Sequence, residues 1–556
     1  MGELIDVATA PRRGDTAVTT AARRAPTWAW LRARLPWWVA IAAAFTAVFV
    51  LLSVRVGRLQ SPLHGDDMMY FLDGLDRLDQ FRSRGLSGVV AGYVDRPPHS
   101  PWASFLAAGC FGLFGMREWA PFVGNGLLIM ALVGFVDFLA IGRGAWSRRF
   151  CLFMACTAPF AAQAVMQFRP DFAAGLLTAI GVVLVLRSNF AESSRRHQAA
   201  AGVAFGLALL VKPTGSPFTL AMTGGTLVLA TLCDWLTRPG LTVRQVASSW
   251  AWCVGPLLAL AGPHYALAWR SVAKIVALNT TDPQAKVWTM SGGEVFPWYY
   301  YLTGLGGRMM LRNHLYLFGA ICLASFVFVV RARDREAIVR HVAFALVLLV
   351  AWAIPTMLGS FSPFFTQTFV VLLLFCAVLA VCDVLPRVSI GGPRSPWITR
   401  VAVAGAVVLP FVGMASRTSG VAPDPARIRL HHEIYRDVLQ QVRARSGDGP
   451  ARVFLTCNGE IAPETLTWLA RKDGVNAAFR AEEISTDVDV FRSEIDRSTL
   501  VLAVTTHGNG KVHPWLPSAE VADTVLALLR ARPDFRQVAT FGPLDANEYY
   551  LFARVQ

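Results

Sequence analysis

Charge is scarce in this chain. Only 16% of its 556 residues are Asp, Glu, Lys or Arg, against 54% hydrophobic, and the mean hydropathy is +0.45. So apolar a composition excludes an ordinary soluble protein and places the chain in a membrane. Acids are the scarcer sign, 37 against 52 basic residues, for a net charge of +15. The arginines fall in short clusters between apolar runs, the distribution that orients membrane helices, and this excludes a nucleic-acid partner. A disulfide framework is missing too. Eight of the nine cysteines lie in or beside apolar runs, Cys457 stands alone in the polar C-terminal part, and no Cys-x-x-Cys metal pattern occurs. No secretory cleavage pattern precedes the first apolar run. The polar N-terminus ends in Arg23, Arg24, Arg32 and Arg34, and the run from about Trp37 to Val54 is long enough to stay in the bilayer as an uncleaved anchor. There is no internal repeat and no low-complexity stretch.

What is present is a series of apolar runs of near-membrane length, at roughly 37–55, 119–142, 150–167, 172–187, 198–214, 217–233, 246–268, 313–330, 341–358, 364–384 and 399–415. This predicts a polytopic α-helical membrane protein of about eleven spans. Arginine position tests the tracing independently. Arg143, Arg148 and Arg149 share one loop, Arg187, Arg195 and Arg196 the next, and Arg238 with Arg244, Arg331 to Arg340, and Arg387 to Arg400 follow on alternate loops. All fall on the N-terminal side, which the positive-inside rule makes cytoplasmic. The complementary loops, about 56–118, 168–171, near Pro213, 269–312, 359–364 and everything after 416, then face outward from a plasma (inner) membrane. The expected domains are a basic cytoplasmic N-terminus, 1–36, a membrane domain, 37–415, and an extracytoplasmic domain, 416–556.

In that last part charged residues become frequent and alternating segments appear. Arg452 to Thr456, Val475 to Phe479 and Leu500 to Thr505 read as strands, and Glu433 to Ala444, Glu464 to Arg471 and Glu520 to Arg530 as helices. Phe535 to Phe541 and Tyr549 to Val555 read as a hairpin. A small soluble α/β domain with its own core is predicted. His431 and His432 read as surface residues rather than metal ligands, and His507 to His513 as a turn without dinucleotide-loop spacing.

The residues that could carry chemistry lie on the outer loops. Asp66 and Asp67, in His64-Gly65-Asp66-Asp67-Met68-Met69-Tyr70, sit just beyond the first span. Paired carboxylates at the rim of a bilayer offer a general base and an orientation or cation site where a lipid-borne substrate can reach them. Their plainer reading is a helix N-cap. Asp95-Arg96-Pro97-Pro98 puts a guanidinium on a stiffened turn, Arg169-Pro170-Asp171 lies between two spans, and Lys212-Pro213 ends another. Singly, each reads as a snorkelling or surface charge.

Taken in order, these segments resemble the GT-C superfamily of polyprenyl-phosphate-sugar-dependent glycosyltransferases, in its bacterial protein O-mannosyltransferase and lipid A aminoarabinose transferase branch. Asp66-Asp67-Met68-Met69-Tyr70 is similar to that branch's Asp-Glu-x-x-Tyr motif, with Asp for Glu. Asp95-Arg96-Pro97-Pro98 to Leu113-Phe114-Gly115 resembles its Asp/Lys-Pro-Pro segment leading to Phe-Gly, with Arg for Lys. Arg169-Pro170-Asp171 and Gly206-Leu207-Ala208-Leu209-Leu210-Val211-Lys212 match its Arg-Pro-Asp turn and Gly-Leu-Ala-x-Leu-x-Lys segment. The likeness covers about residues 37–384. It implies a many-helix membrane domain whose external loops form the active site, followed here by the α/β domain. It also implies transfer of a sugar from a polyprenyl-phosphate donor to a lipid, glycan or protein acceptor, with inversion. On that basis Asp66 is the base, and Asp67 either orients it or helps hold a divalent cation, Mg or Mn. Arg96, Arg169 and Lys212 neutralise the leaving phosphate, Asp171 fixes Arg169, and Tyr70 and Asp95 support the site.

The chain departs from the branch at Gly359 to Gln367, where no cation stands in the expected late turn. The aromatic and charged loop 269–312, with Lys274, Asp282, Lys286, Glu294, Trp298 and Tyr299 to Tyr301, reads as an interfacial belt. The rival reading is a non-catalytic binding, scaffold or transport protein on the same fold. Against a transporter, no intramembrane carboxylate chain is present, and Asp137, the main acid within a span, lies near its cytoplasmic end.

Overall fold

The structure is a computed structural model that describes residues 28–63, 65–280, 312–357, 366–384, 424–446, 449–457, 460–506, 516–544 and 547–555. The expected span 399–415, most of the loop 269–312, the turn 359–364, the 507–513 turn and His64 lie outside the described residues.

Over the described residues, every span drawn up to 384 falls on helix. The first is α1, Trp28–Val56. After the site segments come α4 (Ala120–Gly124) and α5 (Gly126–Leu139), then α6 (Ala145–Thr157) and α7 (Pro159–Met166), bent by 50° at their junction. Next are α8 (Pro170–Leu186), α9 (Arg195–Val211), α10 (Ser216–Thr237), α11 (Val243–Thr280), α12 (Arg312–Arg331), α13 (Arg335–Met357) and α14 (Gln367–Val384). Among the described residues six helices are long and apolar enough to cross a membrane, or seven if the bent pair is one span. Others, such as α8 and α14, are shorter and apolar on all sides, which places them at the centre. Val371, Leu372, Leu374 and Phe375 of α14 are fully buried, as are Ala173, Leu176, Ala179 and Val182 of α8.

Helices without a hydrophobic drive between them associate where small residues let backbones approach. Gly202 and Gly206 put one such stripe on α9. A Cβ at Gly202 would stand 1.9 Å from the carbonyl oxygen of Cys253 on α11, and one at Gly206 would stand 3.1 Å from the Leu257 backbone. Gly202→Ala must therefore separate the two backbones, an overpacking that costs about 1–3 kcal/mol. A lower Tm of the purified protein is expected, with a smaller loss for Gly206→Ala. Unchanged melting of Gly202→Ala would refute this contact.

The segment between the first two spans is more ordered than a loop. It holds a 30-residue helix, α2 (Asp66–Asp95), broken at Gly85, whose φ of 63° and ψ of −153° only glycine adopts easily, and a short apolar helix, α3 (Pro101–Phe114). α3 packs along α2: a Cβ at Gly74 would lie 2.6 Å from that of Ala107. The sequence offered the start of α2, as a helix N-cap at Asp66 and Asp67, but not its length, because its face is amphipathic rather than apolar.

The C-terminal domain comprises α15 (Pro425–Arg445), β1 (Ala451–Leu455), α16 (Pro463–Asp473), β2 (Ala477–Ala481), α17 (Val488–Asp496), β3 (Leu500–Thr506), α18 (Ala522–Ala531), β4 (Phe535–Leu544) and β5 (Asn547–Arg554). Its five-stranded sheet runs β2-β1-β3-β5-β4, with β1 parallel to β2 and β3, and β5 antiparallel to β3 and β4. Each expected strand and helix is there, and α17 is an addition. It is not a separate bead. Trp468 of α16, 1% exposed, belongs to the core of the membrane domain, with its ring 5.5 Å from Phe71 and 5.2 Å from Phe111. The Thr465 hydroxyl donates to the Leu63 carbonyl, Arg471 pairs with Asp76 at 2.5 Å, and Lys472 pairs with Glu118 at 3.1 Å. Of the two histidines, only His431 differs from the surface reading; His432 is exposed, as expected. His431 is buried, with its ring 3.5 Å from Glu460, and His432 meets the Gln60 carbonyl at 2.7 Å.

Candidate active site

Gly65 starts the site. Its φ of 73° and ψ of −151° turn the chain into α2, and Gly65 itself is the N-cap, without a side-chain capping bond. The two aspartates are therefore the first two helical residues rather than the cap, at the positive end of the helix dipole. The side chain of Asp66 lies outside the described residues. Asp67 is fully buried, with Arg58 Nε 3.0 Å from Oδ2 and Arg169 Nε 3.8 Å from Oδ1. Neither oxygen accepts an aligned hydrogen bond among the described residues. The carboxylate is thus charge-compensated from both sides while keeping acceptor capacity.

Arg169 arrives there because Pro170 opens α8. The residue before a proline is driven to extended backbone, here φ −125° and ψ 141°, and Asp171 follows in the first turn. Asp171 does not fix Arg169, as the family resemblance implies; it bonds Lys212 at the far end of α9. The reason lies in the packing. α8 and α9 are adjacent and antiparallel, so the start of one meets the end of the other, and Pro213 stops α9 with Lys212 at its C-cap. Arg169 is left for Asp67.

The Asp95–Ser100 turn is tied to the same place. Ser100, which caps α3, donates to the Val211 carbonyl at 2.5 Å, and Tyr70 stacks on His99 with ring centroids 6.2 Å apart. Arg77, 2% exposed, donates to the Arg96 carbonyl at 2.5 Å and stands 3.6 Å from Asp73, which accepts from Ser104. Tyr93 meets His264 Nδ1 of α11 at 2.6 Å, and burial raises the Tyr93 phenol above its usual range, so it stays a neutral partner. Tyr265 donates toward the carbonyls of Leu209 and Pro213, steadying the Lys212 turn.

The structure therefore gathers Asp67, Tyr70, Arg169, Asp171 and Lys212 into one contiguous set. It does not bring the side chains of Asp95 and Arg96 into that set: both are exposed, without side-chain partners among the described residues. Arg58 and Arg77 are participants that the sequence reading missed. Arg58 follows the first span directly, which is the signal available for it; Arg77 stands in a helix that the reading left as loop.

The arginine-rich ends lie away from this site. α8 carries Arg169 and Asp171 at one end and Arg187 at the other, roughly 25 Å along a helix of that length. The Arg187 guanidinium lies 5.0 Å from the Phe138 ring at the end of α5, and its carbonyl accepts from Arg340 at the start of α13.

A divalent cation at Asp67 fits poorly. Two guanidinium groups already face its carboxylate, and no three His, Cys, Asp or Glu side chains converge among the described residues. No step below is routed through a metal.

No protein-family model matches the sequence, and no curated protein is significantly similar to it. Solved structures do match in fold. ArnT from Cupriavidus metallidurans in the apo state is 15% identical with a TM-score of 0.55, the match covering 92% of this chain and 97% of that one. ArnT from the same organism bound to undecaprenyl phosphate is 14% identical with a TM-score of 0.56, covering 92% and 98%. Over nearly its whole length, the α/β domain included, this chain is a polytopic membrane protein with the GT-C fold that ArnT has.

Proposed function

We propose that the chain is a membrane glycosyltransferase that moves a sugar from a polyprenyl-phosphate donor to an extracytoplasmic acceptor with inversion. The observation that carries this reading is the joining of Asp67, Arg169, Asp171 and Lys212 at one end of the bundle, beside the start of α2. It is supported by the shared fold with ArnT, one structure of which is bound to undecaprenyl phosphate.

In the proposed reaction the acceptor hydroxyl oxygen attacks the anomeric carbon from the face opposite the phosphate. The bond from that carbon to the phosphate oxygen breaks, and its electron pair leaves with the polyprenyl phosphate. Asp66 takes the hydroxyl proton as the new bond forms. Fixed cations at Arg169 and Lys212 balance the charge developing on the departing phosphate, with Arg96 at the exposed rim as a further contact. Buried Asp67, held by Arg58 and Arg169, orients the cationic wall and the base beside it. Asp171 keeps the Lys212 ammonium aimed and ready to share its donors with phosphate.

Lys212→Gln removes the positive charge and leaves Asp171 as an uncompensated negative charge beside the phosphate. Undecaprenyl phosphate binding, measured by quantitative native mass spectrometry of the purified protein, is expected to weaken about tenfold or more. Arg169→Gln should act in the same direction. Unchanged binding by both folded variants would overturn the assignment of the phosphate site. Transfer from a panel of radiolabelled polyprenyl-phosphate sugars, with membrane extract as acceptor source, tests the activity itself. Absence of transfer from every donor would favour the binding or transport alternative.

A further inference from the structure

At the opposite end of α1 from the candidate active site lies a cavity of about 400 Å³. From Arg34, on its wall, to the end of α1 at Val56 is roughly 33 Å of helix, the thickness of a bilayer's hydrocarbon core. The site described above thus belongs to one membrane face and this cavity to the other.

Its lining is cationic: Arg34 from α1, with Arg143, Arg148 and Arg149 from the α5–α6 turn and the start of α6, set against one carboxylate, Asp137. Asp137 is buried and already committed. Its Oδ2 accepts from Arg148 at 2.6 Å and from the Trp38 indole at 2.9 Å. It therefore neutralises one guanidinium and fixes the direction of the group, leaving the cavity with a net positive charge. A plain cluster of snorkelling arginines would need neither a buried orienting acid nor a concave wall. The indoles are informative as well. Trp37 on the cavity wall is 65% exposed, and Trp28 and Trp146 nearby in the chain are 67% and 74% exposed, as befits side chains that sit at headgroup level.

We propose that this cavity binds the phosphate headgroup of an anionic phospholipid from the arginine-rich leaflet, with its acyl chains running along α1. The phosphodiester would meet the guanidinium groups of Arg34 and Arg149 through charge-assisted hydrogen bonds, beside Arg148 held in place by Asp137, and Trp37 would mark the depth of the glycerol. A lipid suits the site better than a free phosphate. The wall that carries the arginines continues into the bilayer-facing surface of α1, where Val39, Val48 and Leu51 are exposed. This role is independent of the transferase reading, since no residue of the cavity belongs to the candidate active site.

The test uses the full-length protein in neutral detergent or nanodiscs, with phosphatidylglycerol that carries a photoactivatable diazirine near its headgroup. Crosslinks are expected on peptides containing residues 34–38 or 143–152. Unlabelled phosphatidylglycerol should compete them away, but not phosphatidylcholine or millimolar inorganic phosphate. Arg34→Gln combined with Arg149→Gln should weaken retention of phosphatidylglycerol in native mass spectrometry by about tenfold or more. Arg149→Gln alone, at an exposed position, gives a smaller loss in a protein whose folding is not at risk. Labelling elsewhere, equal competition by phosphatidylcholine, or retention untouched by either variant would overturn the proposal. Competition by inorganic phosphate as effective as by the lipid would overturn the lipid assignment and leave a free-anion site.

Discussion

Asp66→Asn protein is expected to fold normally, to bind polyprenyl phosphate much as the parent does, and to lose about a hundredfold or more in transfer rate. The substitution keeps the shape of the first residue of α2 and removes only its ability to take a proton. Because the proposed reaction assigns the leaving phosphate to Arg169 and Lys212, donor affinity and proton removal should separate in this variant. The measurement is single-turnover transfer beside undecaprenyl phosphate binding on the same preparation. Near-parental transfer would remove Asp66 from its role as base. Asp67→Asn should behave differently: it leaves Arg58 and Arg169 facing a neutral amide, so it should disturb both donor binding and turnover. Added Mg or Mn should not rescue it, since the partners of Asp67 are guanidinium groups rather than further carboxylates. Rescue by either ion would restore the metal reading.

The second large effect is expected at Trp468, far from Asp66 in sequence. Truncating a buried tryptophan to alanine costs about 3–5 kcal/mol, whereas exposed ion pairs such as Arg471–Asp76 and Lys472–Glu118 are worth about 0–1 kcal/mol each. Trp468 thus dominates the attachment of the α/β domain to the membrane domain. Its indole N–H finds no acceptor among the described residues, so the true figure lies toward the lower end. The consequence is specific. The ring packs on Phe71, which also meets Phe168 at 5.4 Å, the residue before Arg169, while Thr465 holds Leu63 just ahead of Asp66. Trp468→Ala should lower the Tm and reduce transfer by at least tenfold, and Arg471→Ala with Lys472→Ala should do neither. Removal of the domain near Pro423 should cost turnover as well as acceptor use. Parental transfer by stable Trp468→Ala would show that the domain does not shape the site and would confine it to a role such as acceptor access.

The arrangement of helices was legible in the sequence because one physical quantity governs it. Apolar runs must be long enough to cover hydrocarbon, and arginines must stay on one side, so spans and segregation of charge follow from composition along the chain. The strands of the α/β domain were legible for the same local reason, alternation of apolar and polar residues. Four of the site segments also announced themselves: Gly65 to Tyr70, Asp95 to His99, Arg169 to Asp171 and Lys212 with Pro213 are punctuated by glycine or proline, which fix backbone direction wherever they occur.

Tertiary structure alone decided who meets whom. The family resemblance implied that Asp171 fixes its neighbour Arg169, but antiparallel packing of α8 on α9, tightened through Gly202 against α11, brings Lys212 to Asp171 and turns Arg169 toward Asp67. Arg58, Arg77 and Trp468 carry no local pattern that gives their destination, because a contact made across tens or hundreds of residues depends on how whole helices dock. The length of α2 escaped notice because its amphipathic face serves α3 and α16 rather than lipid. The sequence by itself thus determined which segments are apolar helices and which groups stand near their ends, since hydropathy and charge act on single segments. Only the packed bundle decided their pairing, since ion pairs and aromatic contacts act between segments.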